Sequence, residues 1–180
     1  MKTGFRRTLD VLNSKLANNG KFAALDQAVI SLSNFAASIL LVRLVSPTKV
    51  GAYVTGFLAI YFVRAIQNGL IIQPLNAYGA AQSDDEFRGY FSAALIHQTV
   101  LSVLSAVGAA ALGWVLTARG NNVLGPTIFA LWFAFFTWQF QEFFRRTFYT
   151  RGEVNKAFWI SLAGNILRLS MMVALARTRE

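Results

Sequence analysis

Cysteine is absent from this 180-residue chain, which holds one histidine, three prolines and eight acidic residues. Without cysteine there is neither a disulfide nor a thiol nucleophile, and with His97 as the sole histidine no zinc ligand set can be assembled. The missing thiols do not locate the chain, because a membrane bundle needs no disulfides. No Gly-rich phosphate loop ending in Gly-Lys-Ser or Gly-Lys-Thr occurs, which excludes nucleotide hydrolysis of that type. Clustered carboxylates occur only at Asp84, Asp85 and Glu86, where solvation within a join is the simpler role. No enzyme activity is expected and no cofactor is required. Internal repeats and low-complexity tracts are not visible.

Charge is scarce as well, at 14% of residues, against 55% hydrophobic residues and a mean hydropathy of +0.46. A soluble domain of this length rarely has such a balance. The apolar residues run in five stretches, 22–42, 50–73, 90–116, 123–144 and 157–176, joined by short polar segments. A helix needs about 20 mainly apolar residues to cross the roughly 30 Å hydrocarbon layer. The pattern therefore predicts an all-α, polytopic transmembrane helix bundle of about five spans in a domain covering 22–180. The first stretch is too long for the core of a cleaved signal peptide and carries Gln27 and Asn34 inside it.

A net charge of +9 and a pI near 10.5 would suggest nucleic acid in a soluble protein, but the placement of the charges points elsewhere. Lys2, Arg6, Arg7, Lys15 and Lys21 precede the first stretch, and Arg145, Arg146, Arg151 and Lys156 lie around the last join. With alternating spans both groups fall on one side, facing only Arg43, Lys49 and Arg119 on the other. Basic residues are retained in the cytoplasm, so the amino terminus is expected there and no nucleic-acid partner is expected. Within 1–21, Phe5, Leu9, Leu12 and Leu16 recur at helical spacing with basic residues on other faces. This suits either an amphipathic helix in the headgroup layer or a frayed tail whose leucines align by chance. Pro47, Pro74 and Gly152 read as punctuation, with Pro74 expected to stop the second span.

Polar residues within the spans are the candidate functional groups. Gln27, Ser31, Asn34 and Ser38 follow at four, three and four residues and share one face, expected to look inward because unsatisfied amides in hydrocarbon cost several kcal/mol. Spacing alone leaves open whether that face meets another helix or a wet cavity. Arg64, with Gln67 and Asn68 on its side of the second span, sits roughly 15 Å from the helix end expected at Pro74. An unpaired arginine at such depth costs about 2.5 to 3.5 kcal/mol, and Asp26 is the candidate partner. Arg168 poses the same problem in the last span, with Asn165 and Ser161 on its face. Two arginines without matching buried carboxylates suit a water-filled cavity for an anionic ligand, with pairing or snorkelling as the alternative.

Four features read as structural. Ser105, Ala109 and Gly113, four apart, predict close helix packing of the third span. His97 is read as a local hydrogen-bonder rather than a proton carrier. The rings from Phe129 to Phe144 are assigned to lipid contact before sugar stacking, and Glu142 is placed to pair with Arg145 and Arg146 along a helix surface.

Two stretches carry a resemblance. Leu25-Asp26-Gln27-Ala28-Val29-Ile30-Ser31-Leu32-Ser33-Asn34-Phe35, with Leu41-Val42-Arg43-Leu44-Val45-Ser46-Pro47 and Val50-Gly51, resembles the first helix and turn of bacterial polysaccharide flippases. These belong to the multidrug/oligosaccharidyl-lipid/polysaccharide exporter superfamily. Gln67-Asn68-Gly69-Leu70-Ile71-Ile72-Gln73-Pro74 and Trp138-Gln139-Phe140-Gln141-Glu142-Phe143-Phe144-Arg145-Arg146, with Tyr149 and Arg151-Gly152, look like the ends of its second and fourth helices. The likeness implies two lobes of about six helices around a cavity that opens to alternate sides. It also implies a multi-pass protein of the bacterial inner membrane that moves undecaprenyl-linked oligosaccharide for surface polysaccharide assembly.

The expected partners are then lipid-linked oligosaccharide and membrane lipids, with Asp26, Gln27, Asn34, Arg64, Gln67, Asn68, Asn165 and Arg168 as cavity candidates. Five spans fall short of one such lobe. The chain is thus expected to be an amino-terminal fragment, inactive alone or completed by a second polypeptide that supplies the missing helices. Other readings are a drug or cation antiporter of the same superfamily, for which Asp26 is the available buried carboxylate, and a non-transporting envelope assembly protein. A glycan polymerase or ligase would need a large catalytic loop, and the joins are too short for one.

Overall fold

The computed structural model describes the backbone of residues 2–177 and the side chains of residues 13–174. The described residues are helical throughout except for short turns: α1 (Lys2–Leu44), α2 (Pro47–Gln67), α3 (Gln73–Gly79), α4 (Asp84–Ala118), α5 (Leu124–Thr150) and α6 (Val154–Arg177). A π-helical segment, Asn68–Ile72, joins α2 to α3 without a break. Four helical stretches are long and apolar enough to cross a membrane: Asn13–Leu44, Pro47–Gly79, Asp84–Ala118 and Val154–Ala174. α5, at 27 residues, has the length for a fifth at 1.5 Å per residue. It is less apolar because its stretch is built from phenylalanine and tryptophan, and because Gln139, Gln141 and Glu142 interrupt it. The chain is a helical membrane bundle of about five spans, and its surface agrees, since Leu32, Val42, Phe62, Leu70, Leu104, Trp114 and Leu167 all lie exposed along the helices.

α5 is the central helix. Ile128, Leu131, Phe135, Gln139 and Glu142 line one buried face at steps of three, four, four and three, which is the stripe a helix presents to its neighbours. α4 packs along α5, and α2, α3 and α6 also touch it, while α1 lies mainly against α6. The α4–α5 contact is the close approach foreseen at the small residues, although the buried row is Ser102, Ala106, Ala109 and Gly113. A Cβ on Gly113 would collide with the Phe129 backbone, and one on Gly125 with Thr117. Between these helices the chain turns through Gly120, whose φ of 85° is open to glycine at no steric cost.

Pro47 occupies the first turn of α2, as its fixed φ and missing N–H favour. Pro74 does not stop the second span: the helix runs on to Gly79. The proline's ring and missing donor disturb the carbonyls one turn earlier, and the widened turn at Asn68–Ile72 absorbs that misfit without ending the helix. Asp84, Asp85 and Glu86 are exposed to solvent as expected, but they form the first turn of α4 rather than a loop. Ser83 caps this helix and Glu86 bonds back to the Ser83 N–H at 3.1 Å, a reciprocal box that places acidic charge at the positive end of the helix.

α1 continues without interruption through the basic amino-terminal segment. The arrangement of Phe5, Leu9 and Leu12 lies outside the described side chains. Asn19 donates to the Gly152 carbonyl at 3.2 Å, tying this extension to the α5–α6 turn. Arg151 pairs with Asp84 and stacks over Phe87 at 4.7 Å, so the α3–α4 turn belongs to the same end of the bundle. Lys15, Lys21, Arg145, Arg146, Arg151 and Lys156 are thus gathered at one end.

Replacing Gly113 by valine is expected to destabilise the protein in detergent by about 2 kcal/mol or more through overpacking against the Phe129 backbone. Gly108→Ala on the open side of the same helix, where nothing lies within 4 Å, should be neutral or slightly stabilising. Equal denaturation midpoints for the two variants would contradict this packing.

Candidate functional site

The buried charges converge where α1, α2 and α5 meet. Asp26 of α1 is 1% exposed, and Glu142 and Arg145 of α5 are 9% and 7% exposed. Arg145 donates from Nη1 to Asp26 Oδ2 at 2.8 Å, and grips Glu142 through Nε and Nη2 at 2.9 Å each. The Tyr149 hydroxyl donates to the same Asp26 oxygen at 2.7 Å. Arg146 Nε reaches Glu142 Oε1 at 2.9 Å, and Arg64 Nη2 of α2 reaches it at 3.3 Å. Three guanidinium groups thus meet two carboxylates, leaving one positive charge in excess.

The helix geometry explains the cluster. Glu142, Arg145 and Arg146 stand three and four residues apart, so all three side chains leave the same side of α5. The pairing of Glu142 with both arginines follows that spacing, but Glu142 and Arg145 are buried rather than on a helix surface, and only Arg146 is partly exposed. Burial changes its weight: a charge without a partner here would cost several kcal/mol, whereas an exposed pair contributes about 1 kcal/mol at most.

Asp26 is not the partner of Arg64. Arg145 takes Asp26, and Arg64 pairs with Glu142. The arginine in the second span therefore does have a buried carboxylate, supplied by a neighbouring helix. Its guanidinium carbon lies 5.9 Å from the Tyr61 ring centre and 5.7 Å from that of Trp138, so aromatic faces also hold it.

Beside the charges lies an amide network. Gln67 Nε2 donates to Gln98 Oε1 and to the Gln139 carbonyl, both at 2.9 Å. Gln98 Nε2 donates to Ser102 Oγ at 2.9 Å and to Gln139 Oε1 at 3.3 Å, and Ser102 Oγ donates to that same oxygen at 3.2 Å. All four residues are buried. Gln67 is hence a structural link among α2, α4 and α5. A void of about 10 Å³ separates the two networks, lined by Gln67 and Gln139 of one and Arg64 and Glu142 of the other. An open cleft of about 220 Å³ is lined by Tyr61, Arg64, Ala65, Asn68 and Arg146.

The polar face of α1 does not look inward. Gln27, Ser31, Asn34 and Ser38 are exposed, and the buried positions of this helix are Asp26, Ser33 and Ala37. The face one step round is the one that meets α6, because small side chains let the helices approach. Asn34 Oδ1 accepts from Arg168 Nη2 at 2.9 Å, a bond from α1 to α6. Asn165 turns back to the Ser161 carbonyl at 2.8 Å, and His97 contacts the Ala93 carbonyl at 2.8 Å, the local bonding foreseen for it.

Two groups of candidates result. Arg64 and Asn68 share the cleft, while Gln27 and Asn34 lie on the exposed face of α1, where half-buried Arg168 of α6 reaches Asn34. Gln98, Gln139, Glu142, Arg145, Arg146 and Tyr149 were not foreseen as site residues. The spacing of Glu142 to Arg145 and Arg146 was the available signal; burial was not. Among the described residues, no group of His, Asp and Glu has the arrangement to hold a metal ion. Comparisons with protein-family models, with curated proteins and with solved structures find no match.

Gln98→Ala should cost about 1 to 2 kcal/mol, because it strips Gln67, Ser102 and Gln139 of a shared partner where water does not substitute. An unchanged denaturation midpoint in detergent would show that the amide network contributes nothing to the bundle.

Proposed function

We propose that the chain is part of a membrane transporter for lipid-linked oligosaccharide, of the polysaccharide flippase kind, in a bacterial inner membrane with its amino terminus in the cytoplasm. The observation that carries this reading is the exposed polar stripe on apolar helices. Gln27, Ser31 and Asn34 open outward from α1, and Arg168 joins them from α6. In hydrocarbon each such group would cost several kcal/mol, so the stripe borders a hydrated passage. Amides and hydroxyls are the groups that bond sugar hydroxyls. The cationic cleft at Arg64 and Arg146 supplies the complementary charge for a phosphate carried by the lipid.

The likeness of 25–47, 67–74 and 138–152 to flippase helices supports the same substrate class. A cation antiporter is less well served, because Asp26 and Glu142 are both engaged by arginine rather than open to a cation. An assembly protein without transport would have no use for a hydrated passage.

The chain lacks native cysteine, so single cysteines at positions 27 and 31 report on water access directly. In nanodiscs, a charged, water-soluble maleimide should label both, and should leave cysteines at the lipid-facing positions 32 and 35 unmodified. A polyprenyl-pyrophosphate-linked oligosaccharide should then slow labelling at 27 and 31. Equal labelling at all four positions, or no protection by the glycolipid, would overturn this function.

A further inference from the structure

The cleft and the Glu142 cluster share two arginines, and one oxygen of Glu142 is oversubscribed. Glu142 Oε1 accepts from Arg145 Nη2 at 2.9 Å, Arg146 Nε at 2.9 Å and Arg64 Nη2 at 3.3 Å. A carboxylate oxygen offers about two lone-pair directions, so three donors cannot all be well placed. Arg145 is secured independently, through Glu142 Oε2 and Asp26. Among the described residues, Arg64 and Arg146 have only the contested oxygen as a carboxylate partner, and both line the open cleft. Each guanidinium carries five N–H groups and gives Glu142 one nitrogen, which leaves donors for another acceptor. Tyr61 and Trp138 hold the Arg64 guanidinium where it is.

We propose that Glu142 is a built-in competitor for a phosphate-bearing ligand at this cleft. It holds Arg64 and Arg146 while the cleft is empty and yields them, Arg64 first, when a phosphate or pyrophosphate group enters. The inference rests on the transporter reading for its ligand class and adds how the site is regulated. Glu142 keeps two arginines from standing as uncompensated charges in the bundle, at the cost of weaker anion binding. Arg145 stays with Asp26 throughout, so α1 remains attached to α5, and Gln67 keeps α2 joined to α4 and α5. Ligand entry thereby loosens the one ion pair that joins α2 to α5 among the described residues.

The probe is inorganic pyrophosphate, titrated into the whole chain in zwitterionic nanodiscs. Arg64→Gln should weaken binding about tenfold, the loss of one charge-assisted contact, and Glu142→Gln should strengthen it by a similar factor. Weaker or unchanged binding in Glu142→Gln, with Arg64→Gln still impaired, would overturn the competitor role while leaving the anion site in place. Equal affinity of wild type and Arg64→Gln would instead overturn the anion site itself.

A second measurement covers the case in which Glu142→Gln does not fold. In a chain carrying Glu86→Gln, Glu153→Gln and Glu180→Gln, Glu142 is the sole glutamate, and its ¹³C carboxyl resonance should shift as pyrophosphate is added. Binding without a shift would overturn the proposal. Repeating the titration with phosphatidylglycerol in the nanodisc identifies the source of the phosphate. Competition assigns the cleft to bulk lipid headgroups, its absence assigns it to a dedicated phosphorylated ligand, and Glu142 competes in either case.

Discussion

Burying charge in a membrane bundle is tolerable only when every charge has a partner, and the Asp26–Arg145–Glu142 arrangement answers that constraint. Its components come from α1 and α5, and Arg64 adds α2. Apolar contacts alone would leave these helices free to slide, because lipid tails solvate leucine as well as another helix does. A fixed set of donors and acceptors removes that freedom. The bidentate grip of Arg145 on Glu142 sets one orientation, and Tyr149 shares with Arg145 the Asp26 oxygen that both hold.

Around this anchor the remaining packing is organised by size and by one irregularity. Gly113 and Gly125 bring α4 and α5 close enough for backbone contact, which aligns Gln98 and Ser102 with Gln139. The π-helical turn at Asn68–Ile72 resets the rotation of α3 relative to α2. It thereby keeps Arg64 and Gln67 on the α5 side while burying Leu75 beside Phe143. The positions of the two polar networks are consequences of these few steric facts.

Much of the fold was legible in the sequence because hydrophobic length is a one-dimensional signal. Each apolar stretch lies in its own helix, and Pro47, Gly152 and the small residues of α4 behave as their chemistry dictates. Pro74 was misread, since a proline ends a helix only where no neighbouring turn can absorb its missing donor. The site was less legible because burial depends on partners distant in sequence. Asp26 and Arg145 are 119 residues apart, and no spacing rule joins them. The stripe from Gln27 to Ser38 was correctly seen as one face, but whether that face turns toward α6 or away is decided by Ser33 and Ala37 on the adjacent one.

The dependence of the whole arrangement on one buried ion pair is best measured by a double-mutant cycle on Asp26 and Arg145. Stability in detergent would be compared for Asp26→Asn, Arg145→Gln and the double variant. The account predicts that each single change is strongly destabilising and that the second adds little, giving a coupling of about 2 kcal/mol or more. Additive losses, with coupling near zero, would mean that α1 is held by its other contacts, chiefly with α6, and the account would be wrong.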